Sequence, residues 1–295
     1  MAFRTDLAVE AIENMAEAAD TQQVRQSGRT IEGFDVNEVD ILTEYAAREI
    51  GKPCGRYLTL ELDALIRREE DAFPRACHAL SSLLRELLPA GTQAGPVLVA
   101  GLGNRMITPD AVGPQAVDHV IATRHLVEQV PDVFASWRPV SALAPGVLGQ
   151  TGLETGEVVC GVLDRIRPAA VIAIDALAAG RLSRLLRTVQ LADTGITPGA
   201  GVGNARAALN ERTLGVPVIA IGVPTVVDGA TLAHEIAAQL GGPSCEALED
   251  LSRPVMITTR DIDREIADVS RMIGYAVNLA LHPHLTVEDV DLYLS

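Results

Sequence analysis

The apolar positions of the chain fall into two regimes that meet near residue 96. Before it, "RTIEGFDVNEVDIL" and "RYLTLELDAL" alternate apolar and polar residues, the two-residue period of half-buried strands. Between them, "TEYAAREIG" predicts a short helix, with Thr43 as its N-cap and Gly51 as the glycine that stops it. A longer helix is expected over residues 64–88, interrupted near Pro74 and ending before "PAGTQAGP".

Beyond residue 96, strand-like and helix-like stretches alternate. Val97–Gly101 predicts a strand and 110–126 a helix, then "RPVSALAPG" a strand and "ETGEVVCGVLDRIR" a helix. "AAVIAIDALA" is apolar at nearly every position, which marks a strand covered on both faces. "TVQLADTG" follows, then the glycine-rich loop "ITPGAGVGN", the buried strand "VPVIAIGVPTVV" and the helix "ATLAHEIAAQL". "GGPSCEALEDLSRP" is the most linker-like stretch. Past it, Ile262, Ile266, Val269, Ile273 and Val277 form a helical stripe that should pack on a sheet. A last short helix, "TVEDVDLYL", has Thr286 as cap and Asp289 at its third position.

This pattern predicts an α/β fold with three α/β/α layers, a largely parallel central sheet and a strand-containing N-terminal region. One domain over 1–295 is expected. Residues 8–95 would supply N-terminal strands and helices, 96–240 the core sheet, 241–254 a linker and 255–295 the C-terminal helices.

Composition sharpens the class. Hydrophobic residues make up 48 % of the 295 positions and aromatics 3 %, so Ala, Val, Leu and Ile must build the core. A net charge of -15 repels phosphate backbones and anionic lipid, which argues against direct nucleic-acid or membrane partners. Cys54, Cys77, Cys160 and Cys245 form no CxxC pair and fit a reduced, cytoplasmic protein that uses thiols as small apolar residues. Neither a signal segment nor an apolar run of membrane-spanning length occurs.

The loop "GLGNRMITPD" invites a nucleotide reading, but the third glycine of a dinucleotide fingerprint is replaced by Met106. "GVGNAR" fails in the same way at Arg206, and neither loop ends in Gly-Lys-Ser/Thr. "HEIAA" has Ala238 where a zincin helix needs its second histidine, and no Gly-x-Ser-x-Gly elbow occurs. His234, His282 and His284 are expected at helix surfaces or ends, and Cys160 as a buried structural thiol. What the loops carry is carboxylates. Asp110 follows the first core strand, and Asp175 ends the most apolar one. If those strands are parallel, both acids emerge at the carboxyl edge of the sheet, where open α/β sheets place ligands. Such a pair can share a proton and activate water against a carbonyl, or hold a divalent metal. Each also has a plainer role, Asp110 at a helix start and Asp175 bonding loop amides. Asp193 is a weaker third candidate and Asp228 weaker still.

Taken together, "GLGNRMITPDAVGPQAVDHVIATRHL", "RPVSALAPGVLGQTGLET", "AAVIAIDALAAGRLSRL", "VQLADTGITPGAGVGNAR", "TLGVPVIAIGVPTVVD" and "MITTRDIDREIADVSRMIGYAVNLALH" resemble the germination proteases of spore-forming bacteria. The resemblance implies an endopeptidase that degrades small acid-soluble spore proteins in the germinating spore core. It also implies a fold similar to hydrogenase-maturation proteases, a homotetramer and an inactive zymogen. The family's two essential aspartates fall on "TPD" and "IAID", at Asp110 and Asp175. The family has been argued to be metallo and to be atypical aspartic; the absence of histidine in either motif favours the second, with no cofactor expected. If a metal were used, Asp110 and Asp175 would hold it. A non-catalytic nucleotide-binding module is the rival from another class. The resemblance further places self-cleavage between Leu7 and Ala8 in "TDLAVE", where the plainer reading is a helix start capped by Thr5. Only residues 1–7 would be removed, a shorter prosegment than the family's, and "GGPSCEALEDLSRP" stands in place of a longer insertion.

Overall fold

The computed structural model of the chain describes residues 5–13, 23–89, 95–239 and 255–295. The expected linker at 241–254, with Cys245, and residues 1–4 lie outside them.

The first strand signal becomes a hairpin of β1 (Val24–Ile31) and β2 (Phe34–Ile41). Glu32 and Gly33 between them take φ of 52° and 79°, the two left-handed positions of a tight hairpin turn. Helix α1 (Ala8–Glu13) precedes the hairpin and α2 (Glu44–Ile50) follows it. In α2 the Thr43 hydroxyl accepts from Ala46 N–H and Gly51 closes the helix at φ 73°, as the sequence predicts. Strand β3 (Gly55–Glu61) then leads to α3 (Asp63–Ile66) and α4 (Ala72–Leu87). The break in the expected 64–88 helix therefore lies before Pro74. Arg68 and Asp71 adopt positive φ there, and Pro74 sits in the first turn of α4, where its missing N–H costs nothing.

Strand β4 (Val97–Gly101) opens the core. The continuous helix expected over 110–126 is instead a 3₁₀ turn (Thr108–Asp110), a short α5 (Val112–Val117) and, after a bend, α6 (Arg124–Gln129). The chain turns because Asn278 intercepts it: its side chain accepts from Ile121 N–H at 2.9 Å and donates to the His119 carbonyl at 2.8 Å. After α7 (Pro131–Phe134) come β5 (Val140–Leu143), α8 (Leu148–Thr151), α9 (Thr155–Ile166), β6 (Ala170–Ala179) and β7 (Thr188–Ala192). The chain ends with α10 (Glu211–Leu214), β8 (Val218–Asp228), α11 (Gly229–Gln239), β9 (Met256–Ile257), α12 (Ile262–Leu281) and α13 (Val287–Leu294). The predicted Thr286–Asp289 capping box forms.

One nine-stranded sheet runs β1-β2-β3-β7-β8-β6-β4-β5, with β9 on β8. Strands β8, β6, β4 and β5 are parallel, the half that the alternating sequence describes. The N-terminal hairpin and β3 continue the same sheet antiparallel through β7. Strand alternation divides the core between two faces. Val97, Val99, Ile172, Ile174, Ile219 and Ile221 pack under α4, α5 and α12. Leu98, Ala100, Val171 and Ala173 pack under α9 on the other face, where α1 and α2 also cover Tyr57 and Ala220. In α12, Ile266, Val269, Ile273 and Val277 are buried and Ile262 is half-buried. Among the described residues no helix is long and apolar enough to cross a membrane.

One side chain departs from expectation: Cys160 is exposed on the outer side of α9, because the helix buries Val159 and Leu163 instead. His282 caps the end of α12, a helix end as expected, but is 1 % exposed, closed over by Trp137 at a ring separation of 4.9 Å.

Candidate active site

Asp110 is placed by close backbone contact. Past the end of β4, Leu102 N–H continues onto β6 by donating to the Ile174 carbonyl at 2.7 Å. Gly103 then turns at φ 111°, and a Cβ there would lie 2.1 Å from the Asp110 carbonyl oxygen. Gly113 fills a similar need, since its Cβ would stand 2.4 Å from Ile174 O, so α5 can press onto the sheet. The glycines of this loop thus let two backbones touch and bring the Thr108–Asp110 turn over the strand ends. Thr225 of β8 ties that turn down, its hydroxyl donating to Pro109 O at 2.6 Å. Asn104 N–H donates to Asp110 Oδ2 at 2.8 Å.

Asp175 arrives from the neighbouring strand. Gly101 of β4 pairs with Ile174 of β6, so Asp175 stands just past the end of β4. Its Oδ1 accepts from Ala176 N–H at 2.9 Å, and the residue is 4 % exposed. Both aspartates line one cavity of about 490 Å³, together with Asp6, Asn104, Thr225 and Arg206.

Their environments push the two acids apart. Burial raises Asp175 well above the usual carboxylate range, and the nearby Asp110 charge, with a smaller push from Asp6, adds to it. Burial also raises Asp110, but the Asn104 N–H opposes the shift by favouring the ionised form. Both acids are thus held above the usual carboxylate range, and the stronger upward push falls on Asp175, the more deeply buried of the two. A neutral acid beside a carboxylate, facing a cavity, can polarise a carbonyl and deprotonate water together.

The germination protease family model matches residues 4–240. The chain belongs to the germination protease family. It is 38 % identical to a germination protease of Clostridium perfringens over an alignment 322 positions long, covering 99 % of both chains. With that of Caldanaerobacter subterraneus it shares 40 % identity, covering 100 % of this chain and 98 % of the relative. A solved NiFe hydrogenase maturation protease from Thermococcus kodakarensis matches 66 % of this chain and 98 % of its own, with 16 % identity and a TM-score of 0.36. The family makes this chain a peptidase.

Of the remaining acids picked from the sequence, Asp193 accepts from Arg56 N–H at 2.8 Å and ties β3 to β7. Asp228 caps α11, accepting from Ala230 and Thr231 N–H at 3.1 Å each. Among the described residues, no three His, Cys, Asp or Glu side chains gather in a metal-holding group.

The Leu7–Ala8 bond lies inside the fold. Both residues are 0 % exposed. Gln190 of β7 clasps the segment, accepting from Ala8 N–H at 2.7 Å and donating to Asp6 O at 3.2 Å, while the Leu7 carbonyl accepts from Ala11 N–H at 3.1 Å. Thr5 does help to start α1: its hydroxyl accepts from Leu7 N–H at 3.0 Å and also bonds the Glu10 carboxylate. Gln190, Gly222 and Asp175 stand in register across β7, β8 and β6, so Gln190 and Asp175 share a face, about 10 Å apart by strand spacing. Asp6 beside them accepts from Ala178 N–H at 2.9 Å and reaches the cavity. Sequence reasoning did not single out Asp6, Gln190 or Thr225 as part of the site.

Proposed function

We propose that this chain is an endopeptidase that begins the degradation of small acid-soluble spore proteins when a spore germinates. Asp110 and Asp175 are its catalytic acids. The observation that carries this is that Asp110 and the buried Asp175 line one cavity, with the Asp175 carboxyl pushed up by burial and by the neighbouring Asp110 charge. The Asp110 carboxylate takes a proton from water as the water oxygen bonds the peptide carbon and the carbonyl electron pair moves onto oxygen. Asp175 keeps its proton and donates a hydrogen bond to that oxyanion. The oxyanion then re-forms the carbonyl, the C–N bond breaks, and the proton on Asp110 passes to the leaving nitrogen. Both acids end as they began.

The same proposal includes a zymogen that loses residues 1–7, a homotetramer and action in the spore core. The burial of Leu7–Ala8 supports a latent state, since the bond must leave Gln190 and Ala11 before it can be cut.

The test is incubation with a purified small acid-soluble spore protein in chelator-treated buffer, comparing the wild type with Asp110→Asn and Asp175→Asn. Both variants should fall by about 10²–10⁴-fold. Full activity in either removes that residue from the mechanism. Wild-type activity that returns only with added divalent metal moves the chemistry to a metal-held water on the same acids. A chain inactive on spore proteins but shifted in melting temperature by nucleotide would leave the binding-module reading standing.

A further inference from the structure

An oxyanion needs donors, and the first place to look is the backbone of the two glycine loops. Most of those N–H groups are committed. Leu102 N–H is spent on Ile174 O, Asn104 N–H on Asp110, and Gly201 N–H on Asp6. Gly203 and Asn204 N–H close turns within their own loop, onto Ala200 O and Gly199 O.

The Asn104 side chain is different. Met106 N–H donates to Asn104 Oδ1 at 2.9 Å, and a backbone N–H can only donate, so the amide oxygen is fixed on that side. Gln150 of α8 then presents its Nε2 to the same Oδ1 at 2.6 Å. Two donors on one oxygen lock the amide plane and leave Nδ2 with no hydrogen-bond partner among the described residues. Asn104 lines the cavity that Asp110 and Asp175 share. Among the described residues no protein oxygen accepts from that oriented NH₂, which leaves it free for an acceptor brought into the cavity.

We propose that Asn104 is a further catalytic residue, whose Nδ2–H donates to the carbonyl oxygen of the scissile peptide as negative charge develops on it. The inference rests on the Asp110–Asp175 reading above. Gln150 is its positioning residue, holding the amide oxygen so that the donor stays turned away from Met106. No proton is transferred by Asn104; it supplies a hydrogen bond that strengthens as the carbonyl becomes an oxyanion, which lowers the barrier without tightening substrate binding.

The test measures kcat and KM on a purified small acid-soluble spore protein for Asn104→Asp, Asn104→Ala and Gln150→Ala, beside Asp110→Asn and Asp175→Asn. Asn104→Asp keeps an acceptor for Met106 N–H and Gln150 Nε2 and removes only the donor. Asn104→Ala removes the side chain without adding charge. Both should lose about 10²–10³-fold in kcat with KM within a few-fold of wild type. Gln150→Ala should lose less, about tenfold, also in kcat. The pH profile separates this role from a structural one. If Asn104 merely held the loop, Asn104→Ala would disturb the Asn104 N–H bond to Asp110 and move the acidic limb, whereas loss of a donor lowers kcat at every pH and leaves the limb in place. Asn104 variants that retain wild-type kcat while the aspartate variants are inactive overturn this inference alone. A moved limb in Asn104→Ala with kcat recovered at the new optimum does the same. Aspartate variants that remain active overturn the catalytic reading, and this inference with it.

Discussion

Gly103 stands so close to Asp110 that no side chain fits between them: an added Cβ would lie 2.1 Å from the Asp110 carbonyl oxygen and 3.0 Å from Oδ1. The glycine also holds φ 111°, which L residues rarely adopt. Gly103→Ala should therefore cost about 1–3 kcal/mol of stability and more than tenfold in peptidase activity, as the turn carrying Asp110 is displaced. Gly149→Ala is the control, because its Cβ would meet nothing within 4 Å. Equal melting temperatures and rates for the two variants would contradict this role for Gly103.

Asp175 should be a residue at which function opposes stability. Its proton is held in the folded chain well above the pH at which an unfolded carboxyl ionises. Between those two points the native state binds the extra proton, so this group's contribution is greatest at low pH and is lost as pH rises from about 4 toward the raised value. Asp175→Asn removes the penalty while keeping an oxygen for Ala176 N–H. At pH 7 it should melt above the wild type, by about 2–4 °C for each kcal/mol relieved. The gap should close toward pH 4, and the variant should not cleave. A melting temperature that is lower at pH 7, or a gap that widens in acid, counts against the assignment.

Gln190 sets how firmly the N-terminal segment is held. Gln190→Ala removes both ends of the clasp on Asp6 and Ala8, at a cost of about 1–3 kcal/mol for the groups left unpaired. Loss of residues 1–7, followed by intact-mass spectrometry at mildly acidic pH, should quicken several-fold relative to wild type. An unchanged rate would show that the clasp does not govern release.

His282 gives the fold an acid-sensitive point remote from the cavity. Among the described residues neither ring nitrogen has a hydrogen-bond partner, and burial, with His284 and Arg138 nearby, pushes its pKa down to about 4. An unfolded histidine takes its proton near pH 6.5, so stability present above that pH is lost as pH falls toward 4, by about 3 kcal/mol in all. His282→Phe should gain on the wild type in melting temperature as pH falls from about 6.5 to about 4. A difference between the two that stays constant across that window would refute it.

Asp175 could be read from the sequence because an acid inside "AAVIAIDALA" breaks a run that only a doubly covered strand explains. Asp110 was legible as a strand-end acid, but the helix drawn after it was too long, since the Asn278 side chain that bends the chain sits 157 residues away. The same limit hid Asp6, whose partner Ala178 lies 172 residues on. The antiparallel half of the sheet was illegible for a related reason. Alternation reveals that β3 and β7 are strands, but their direction depends on a pairing between distant segments. Asn104 looked like part of a glycine turn; only the hydrogen bonds from Met106 and Gln150 distinguish its two amide atoms.

If the Leu7–Ala8 linkage, folded into the start of α1, is cut as proposed, it acts as a clock. Any enzyme that severs it must wait for the strap to lift from β7, so where cutting outpaces re-docking the interval before severance measures how often that happens rather than how fast peptides hydrolyse. Warming or hydrating the surroundings would then advance the clock with no change at the cutting centre, and two chains with identical carboxylates could keep different time through one glutamine.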